Sequence, residues 1–237
     1  MLQVDIIDAL MQAGFTRHES VLYVTLSREG ELTGYEASKL TGIPRSNAYL
    51  GLAGLCDKGG AYKISSETAQ YGAVPVNELV ENLKRKFSQI IKVIEEIPKV
   101  NIPKDTFVTI NGTEQIVNKM KNMINEALYR IYISIARNQL ELVLEELVNA
   151  KERGLKVVLI TSDCTGMEGF TCYRSQKKPG SVRLITDSSN VLTGHLSEFG
   201  ATGLFSMNQN MVDVIKDSLT NEIRLINIEN NQINNTN

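Results

Sequence analysis

The sequence predicts a multi-domain α/β protein: a helical head with a short hairpin, a coiled-coil helix, and a second unit built on a sheet. Three observations predict it. Capping signals delimit short helices before Gly60, six apolar residues from Val80 to Ile97 repeat at heptad spacing, and beyond Pro103 β-branched runs alternate with helical stretches. A chain of 237 residues holds one large domain or two modest ones with a connector. Hydrophobic content of 42% and charged content of 22% describe an ordinary globular composition. No apolar run reaches the length of a membrane span. The opening MLQVDIIDALMQAG carries acids and no basic leader, so no secretory signal is expected. Three cysteines, Cys56, Cys164 and Cys172, are too few for a disulfide framework, and the expected location is cytoplasmic. A net charge of -2 gives no global attraction to nucleic acid.

The head divides into four helices. Gln3 to Gly14 is amphipathic, with Ile6, Ile7, Leu10 and Met11 on one side. Thr16 caps the next helix, and Glu19 completes a capping box; Val21, Leu22, Val24 and Leu26 follow before Gly30. Thr33 and Glu36 repeat the box, with Ala37 and Leu40 expected in the core. Thr41-Gly42 ends that helix, since glycine accepts a left-handed conformation. Pro44 suits the first turn of the fourth helix, whose expected buried stripe is Tyr49, Leu52, Leu55 and Cys56. "AYKIS" and "QYGAV" then read as two strands of a hairpin.

Helices followed by a hairpin make a winged helix-turn-helix at residues 1–76. Arg45, Ser46 and Asn47 lie on the exposed first turn of the fourth helix, the part that meets base edges and phosphates of duplex DNA. Tyr49, Lys39 and Lys63 are candidate backbone contacts. Four basic residues and one acid between Lys39 and Lys63 make the charge locally positive. The competing reading is a small helical domain that binds protein.

"EASKLTGIPRSNAYLGLAGLCDKG" resembles the winged-helix segment of the TrmB family of transcriptional regulators, where a pattern "eia..tgiprs.vY..L..L..kG" precedes a wing and a long helix. The resemblance covers about residues 5 to 100. Gly59-Gly60-Ala61 departs from the family's Gly-Leu-Val, which implies a looser join between helix and wing.

"VNELVENLKRKFSQIIKVIEEIP" follows. Val80, Leu83, Phe87, Ile90, Ile94 and Ile97 are spaced 3, 4, 3, 4 and 3, an a/d seam free of charge. The alternatives are a helix packed on its own domain and a two-chain coiled coil. The strict period between Pro75 and Pro98 favours the second, so residues 77–100 are expected to join a homodimer.

Residues 101–228 alternate strand and helix: "TFVTI", a helix from Asn111 to Leu128, "YRIYISI", a helix from Gln139 to Arg153, and "LKVVLIT". "VRLIT", "NVLTG" and "ATGLFS" follow, then a helix from Gln209 to Leu219 and "EIRLINI". The Asn-rich residues 229–237 are expected to be disordered. The run from Arg183 onward resembles the phospholipase-D-like fold that TrmB-family proteins carry. In active members of that fold each half supplies a histidine with a lysine two residues later, the first attacking phosphorus and the second holding the anion. Here His18 falls in the head, and His195 is followed by Leu196 and Ser197. The resemblance therefore implies a sensor with no catalytic residue, and no metal or cofactor is expected.

Ligands of open α/β sheets settle beyond the carboxyl ends of strands. That points to Ser134 and Arg137, to Ser162 and Asp163, and to Asp187, as contacts for a sugar or phosphorylated effector. For any single one an ordinary loop role competes. The resemblance also implies sugar contacts in a further C-terminal β domain, before which this chain is expected to end. The stretch from Asp163 to Gly180 is long for an α/β connection. Within it Cys164 and Cys172 either pair, bind a metal, or sit together incidentally. The expectation is a dimeric regulator modulated by a small molecule. A degenerate phosphodiester enzyme with an accessory winged helix and a protein-interaction adaptor are the alternatives.

Overall fold

The computed structural model describes residues 5–64, 69–98, 103–176, 180–197 and 200–234, with side chains described as far as Asn230. The chain divides into two compact units, Met1–Lys99 and Val100–Asn237, each with its own apolar core.

The first unit runs α1 (Ile6–Gln12), α2 (Arg17–Glu29), β1 (Leu32–Thr33), α3 (Gly34–Thr41), α4 (Arg45–Asp57), β2 (Ala61–Ile64), β3 (Gln70–Ala73) and α5 (Val76–Glu95). Both capping boxes form. Thr16 Oγ1 accepts the Glu19 N–H at 3.3 Å while Glu19 Oε2 accepts the Thr16 N–H at 2.6 Å, and Thr33 with Glu36 repeats the exchange. Gly42 closes α3 in the left-handed region at φ 71°. Pro44 stands one position earlier than expected, as the N-cap of α4. Leu22, Tyr23, Leu26, Ala37, Ala48, Leu52 and Leu55 form the core with Phe15, Tyr71 and Leu79. The Tyr23 hydroxyl donates to the Val74 carbonyl at 3.0 Å and so ties α2 to the chain leaving the wing.

Two apolar residues of the head depart from expectation. Leu40 is 56% exposed, because the inward line of the short α3 runs Gly34, Ala37, Thr41. In α4 the core contacts come from Ala48, Gly51, Leu52 and Leu55, which leaves Tyr49 toward solvent and Cys56 half-buried. The join to the wing is tight rather than loose. A methyl on Gly60 would lie 2.5 Å from Leu55 Cδ1 and 3.1 Å from the Phe15 ring, and the Gly60 carbonyl accepts the Val74 N–H at 3.0 Å. β2 and β3 pair antiparallel as the expected wing, with β1 on the far side of β3; residues 65–68 lie outside the described residues.

The second unit comprises β4 (Phe107–Asn111), α6 (Thr113–Glu126), β5 (Arg130–Ile135), α7 (Arg137–Leu140), α8 (Leu144–Glu152), β6 (Lys156–Thr161), β7 (Thr171–Arg174), β8 (Ser181–Thr186), β9 (Asn190–His195), β10 (Thr202–Ser206) and α9 (Gln209–Asn234). Its sheet has the order β4-β10-β9-β8-β5-β6-β7; β5, β6 and β7 are parallel neighbours and the remaining pairs are antiparallel. Alternation along β5 sends Ile131, Ile133 and Ile135 to one face, against Ile116, Met120 and Leu147 of α6 and α8. The other face carries Ile160, Ile185 and Val191 against Val212, Leu219 and Ile226 of α9.

Three expectations change here. The stretch after Asp163 contains β7. The single helix expected from Gln139 to Arg153 is α7 and α8, so that Leu140, Val143 and Leu147 can all reach the core. And α9 continues through "EIRLINI" to Asn234, so residues 229–234 are helical rather than disordered. Val212, Leu219 and Ile226 recur every two turns and hold the helix on the sheet, which outweighs the polar composition of its end.

Candidate functional site

Arg45, Ser46 and Asn47 are all exposed on the first turn of α4, held there by the buried Ala48, Leu52 and Leu55 behind them. The Arg45 guanidinium lies 5.5 Å from the centre of the Tyr35 ring and 5.9 Å from that of Tyr49. Two aromatic faces thus restrict a cation that would otherwise swing freely. Tyr49 in turn lies against Gly34, where a methyl group would stand 2.4 Å from its Cε1. Lys39 on α3 and Lys63 on β2 are exposed. A third cation of the region, Lys58, is engaged elsewhere: its ammonium lies 2.6 Å from Glu19 Oε2 and 3.0 Å from the Gly14 carbonyl. Burial alone would raise the Glu19 pKa, but the bonds from Lys58 and the Thr16 N–H hold it below the usual range. Sequence reasoning missed Tyr35 and Leu50. Leu50 is 72% exposed, one turn beyond Ser46 and Asn47 on the same helix; only that spacing signals it.

Along α5 one residue, Leu79, is buried. Leu83 packs partly against the core of the first unit, whereas Val80, Phe87, Ile90 and Ile94, with Ile97 two residues past the helix end, are exposed, from 42% to 65%. Ile91 and Val93 are exposed beside them. The bare stripe is therefore wider than the two-position seam read from spacing.

The second unit separates the five expected effector contacts. Arg137, Ser162 and Asp163 meet at the carboxyl ends of β5 and β6, where the Ser162 hydroxyl accepts the Arg137 N–H at 3.3 Å. Arg137 also pairs with Glu141, and Asp163 accepts the N–H and hydroxyl of Thr165, which lowers its pKa. Ser134 is buried, its hydroxyl accepting from Arg183, which bonds Ser218 and Glu222 of α9. Asp187 stands at the opposite end of the sheet. β8 runs antiparallel to β5, so Thr186 pairs with Ile131 near the start of β5 and Val182 pairs with Ile135 at its end. The Asp187 carboxylate accepts the N–H groups of Leu128, Tyr129 and Arg130 at 2.8–2.9 Å.

The Arg137 end also holds the chain's second histidine. His195 ends β9, the buried Leu196 follows, and Gln139 Nε2 donates to the Leu196 carbonyl at 3.1 Å. The Ser197 hydroxyl donates to the Gly200 carbonyl at 3.1 Å. Gln139 Oε1 and Thr161 Oγ1, both at this end, are buried without a hydrogen-bond partner among the described residues. Cys164 and Cys172 form a disulfide, with Cα atoms 6.0 Å apart, that ties the connection after β6 to β7. Among the described residues no three His, Cys, Asp or Glu side chains gather as a metal site, and no helix is long and apolar enough to cross a membrane.

Two models of one family match the two units: "Sugar-specific transcriptional regulator TrmB" over residues 10–77 and "Transcriptional regulator TrmB, EBD N-terminal subdomain" over residues 106–218. The chain belongs to the TrmB family of transcriptional regulators. It is 32% identical over 163 residues to the uncharacterized protein YrhO of Bacillus subtilis, a match covering 67% of this chain and 59% of that protein. It is 28% identical over 156 residues to the HTH-type sugar sensing transcriptional regulator TrmBL1 of Pyrococcus furiosus, covering 60% of this chain and 43% of that one. The chain thus spans between two and three fifths of the length of these relatives. Among solved structures it is similar to TrmBL2, an archaeal chromatin protein, at 17% identity and a TM-score of 0.43, over 92% of this chain and 96% of that one. It is also similar to the phospholipase D family member Nuc of Salmonella typhimurium, at 12% identity and a TM-score of 0.40, over 49% of this chain and 92% of that one.

Proposed function

We propose that the protein is a dimeric regulator that binds duplex DNA through α4 and takes a small-molecule effector in its second unit. The observation that carries the DNA reading is the first turn of α4. Three polar side chains stand free on a helix whose other face is locked into the core, and the one cation among them is pre-positioned by two tyrosines. A recognition helix offers that arrangement to a major groove. Asn47 is the candidate base reader, since its amide can pair with an adenine edge; Arg45, Tyr49, Lys39 and Lys63 are the candidate phosphate contacts. The exposed stripe of α5 supports pairing of two chains, which doubles the DNA contact. Arg137, Ser162 and Asp163, with the unpartnered oxygens of Gln139 and Thr161 beside them, support a polar ligand at that end of the sheet.

Sequencing the genomic DNA that co-purifies with the protein yields an operator, and titrations at several salt concentrations then separate the roles. Asn47→Ala should cost about 1–3 kcal/mol on the operator and little on random DNA. Arg45→Ala should weaken binding to both and reduce the salt slope by about one unit. If no DNA is enriched, or both variants bind as the parent does, the winged helix serves protein contacts instead.

A further inference from the structure

The cleft between α9 and the start of β5 is lined by cations and hydroxyls that none of the roles above uses. Arg130 opens β5, Tyr132 follows on the same face, and Lys216 and Thr220 belong to α9; Ser188 completes the lining, with Ile185, Leu219 and Ile223 as its apolar part. Its volume is about 60 Å³, far below the several hundred ångströms cubed that enclose a drug-sized ligand. A compact head group fits it and a whole sugar does not.

Two further features bear on its charge. Asp187 and Ser188 form the turn between β8 and β9 with φ of 51° and 53°, left-handed values that non-glycine residues seldom adopt. That turn places Ser188 at the cleft. It is held by the Asp187 carboxylate, whose two oxygens already accept three backbone N–H groups. Asp187, whose charge Arg130 also favours, is thereby hydrogen-bonded to the main chain rather than to the Arg130 guanidinium. Among the described residues no ion pair is formed by Arg130 or Lys216. Asp213, one turn before Lys216, accepts from Gln209. Two cations from different elements, with the Tyr132 and Ser188 hydroxyls on the same lining and the Thr220 hydroxyl donating to the Lys216 carbonyl at 2.9 Å, match a tetrahedral oxyanion with acceptors on every side.

We propose that this cleft binds the phosphate group of a small anion, either free phosphate or a phosphorylated metabolite whose remainder stays in solvent. The proposal goes beyond the effector reading: it adds a second ligand site, at the opposite end of the sheet from Arg137, and gives the chemical class of its ligand.

The test titrates the full chain calorimetrically with inorganic phosphate, glucose 6-phosphate and glucose, at constant ionic strength in chloride. Saturable binding of phosphate, of the sugar phosphate, or of both is expected, and none of glucose at this site. Arg130→Gln and Lys216→Gln, on separate elements and both with exposed side chains, should each weaken binding at least about tenfold, and Arg137→Gln shows whether the anion has gone instead to the other end of the sheet. Equal affinity for the two phosphates identifies the oxyanion as the whole ligand, and tighter sugar phosphate identifies the metabolite. Absence of saturation, binding insensitive to both substitutions, or loss confined to Arg137→Gln would overturn the proposal. DNA binding is scored separately, so a phosphate-binding chain without an operator sinks the regulator reading and leaves this one standing.

Discussion

Asp187 shows at the scale of one residue how a polar side chain at a strand end can be structural. Burial would raise its pKa, yet the N–H groups of Leu128, Arg130 and Tyr129 hold it below the usual carboxylate range. A carboxylate whose folded pKa is depressed stabilises the fold above its unfolded pKa, and that stability is lost as pH falls through the folded value. Asp187→Asn tolerates the left-handed backbone and keeps one acceptor oxygen, but its amide nitrogen cannot accept the N–H that the second oxygen holds, so it removes the charge together with one acceptor. It should cost about 1–2 kcal/mol at neutral pH, with the difference from the parent shrinking in acid; urea unfolding at both conditions measures it. A constant difference would assign the cost to geometry alone. The sequence marks Asp187 as polar and next to a strand, but the direction of β8 is written nowhere in "VRLIT". Strand direction depends on long-range pairing, and it decides which sheet end the residue occupies.

Elements were legible where their signals are local. The boxes at Thr16 and Thr33 close over three residues, and both helices begin where those boxes place them. α9 was legible only over its first turns. Its later anchors lie seven residues apart among asparagines, and their value comes from a sheet surface the sequence does not display. The apolar repeat along α5 was legible because heptad spacing is itself local, although the wider exposed stripe with Ile91 and Val93 was not. Ile90→Lys combined with Ile94→Glu places charge on two exposed positions, so each chain should keep its fold. Sedimentation should show a smaller assembly, and operator affinity should fall with it. A double variant that keeps the parent's mass would move the dimer contact off α5.

Among the described residues the two units share no core residue: the first packs around Leu22, Leu52 and Leu55, and the second packs on both faces of its sheet, around Ile131, Ile133 and Leu147 and around Ile160, Val191 and Leu219. Removing a fully buried side chain costs about 2–5 kcal/mol in the core that contained it. Leu52→Ala should therefore lower one thermal transition and Ile133→Ala another, as resolved by scanning calorimetry. If either substitution lowers every transition equally, the units unfold together. The division into a helical unit and a sheet unit was legible because the apolar period changes from helical to alternating near Pro103.

The sheet of the second unit is open, and its outermost strands are β4 and β7. Each leaves one row of main-chain donors and acceptors unpaired among the described residues, a template on which a stray strand can grow. Both strands are short, five and four residues. β7 ends in Arg174 and is tethered through Cys172, whereas β4 begins with an exposed Phe107. The two rims thus carry unequal hazards. In a crowded solution β4 is the side from which polymerisation would start, and breaking the disulfide would free the other side to join it.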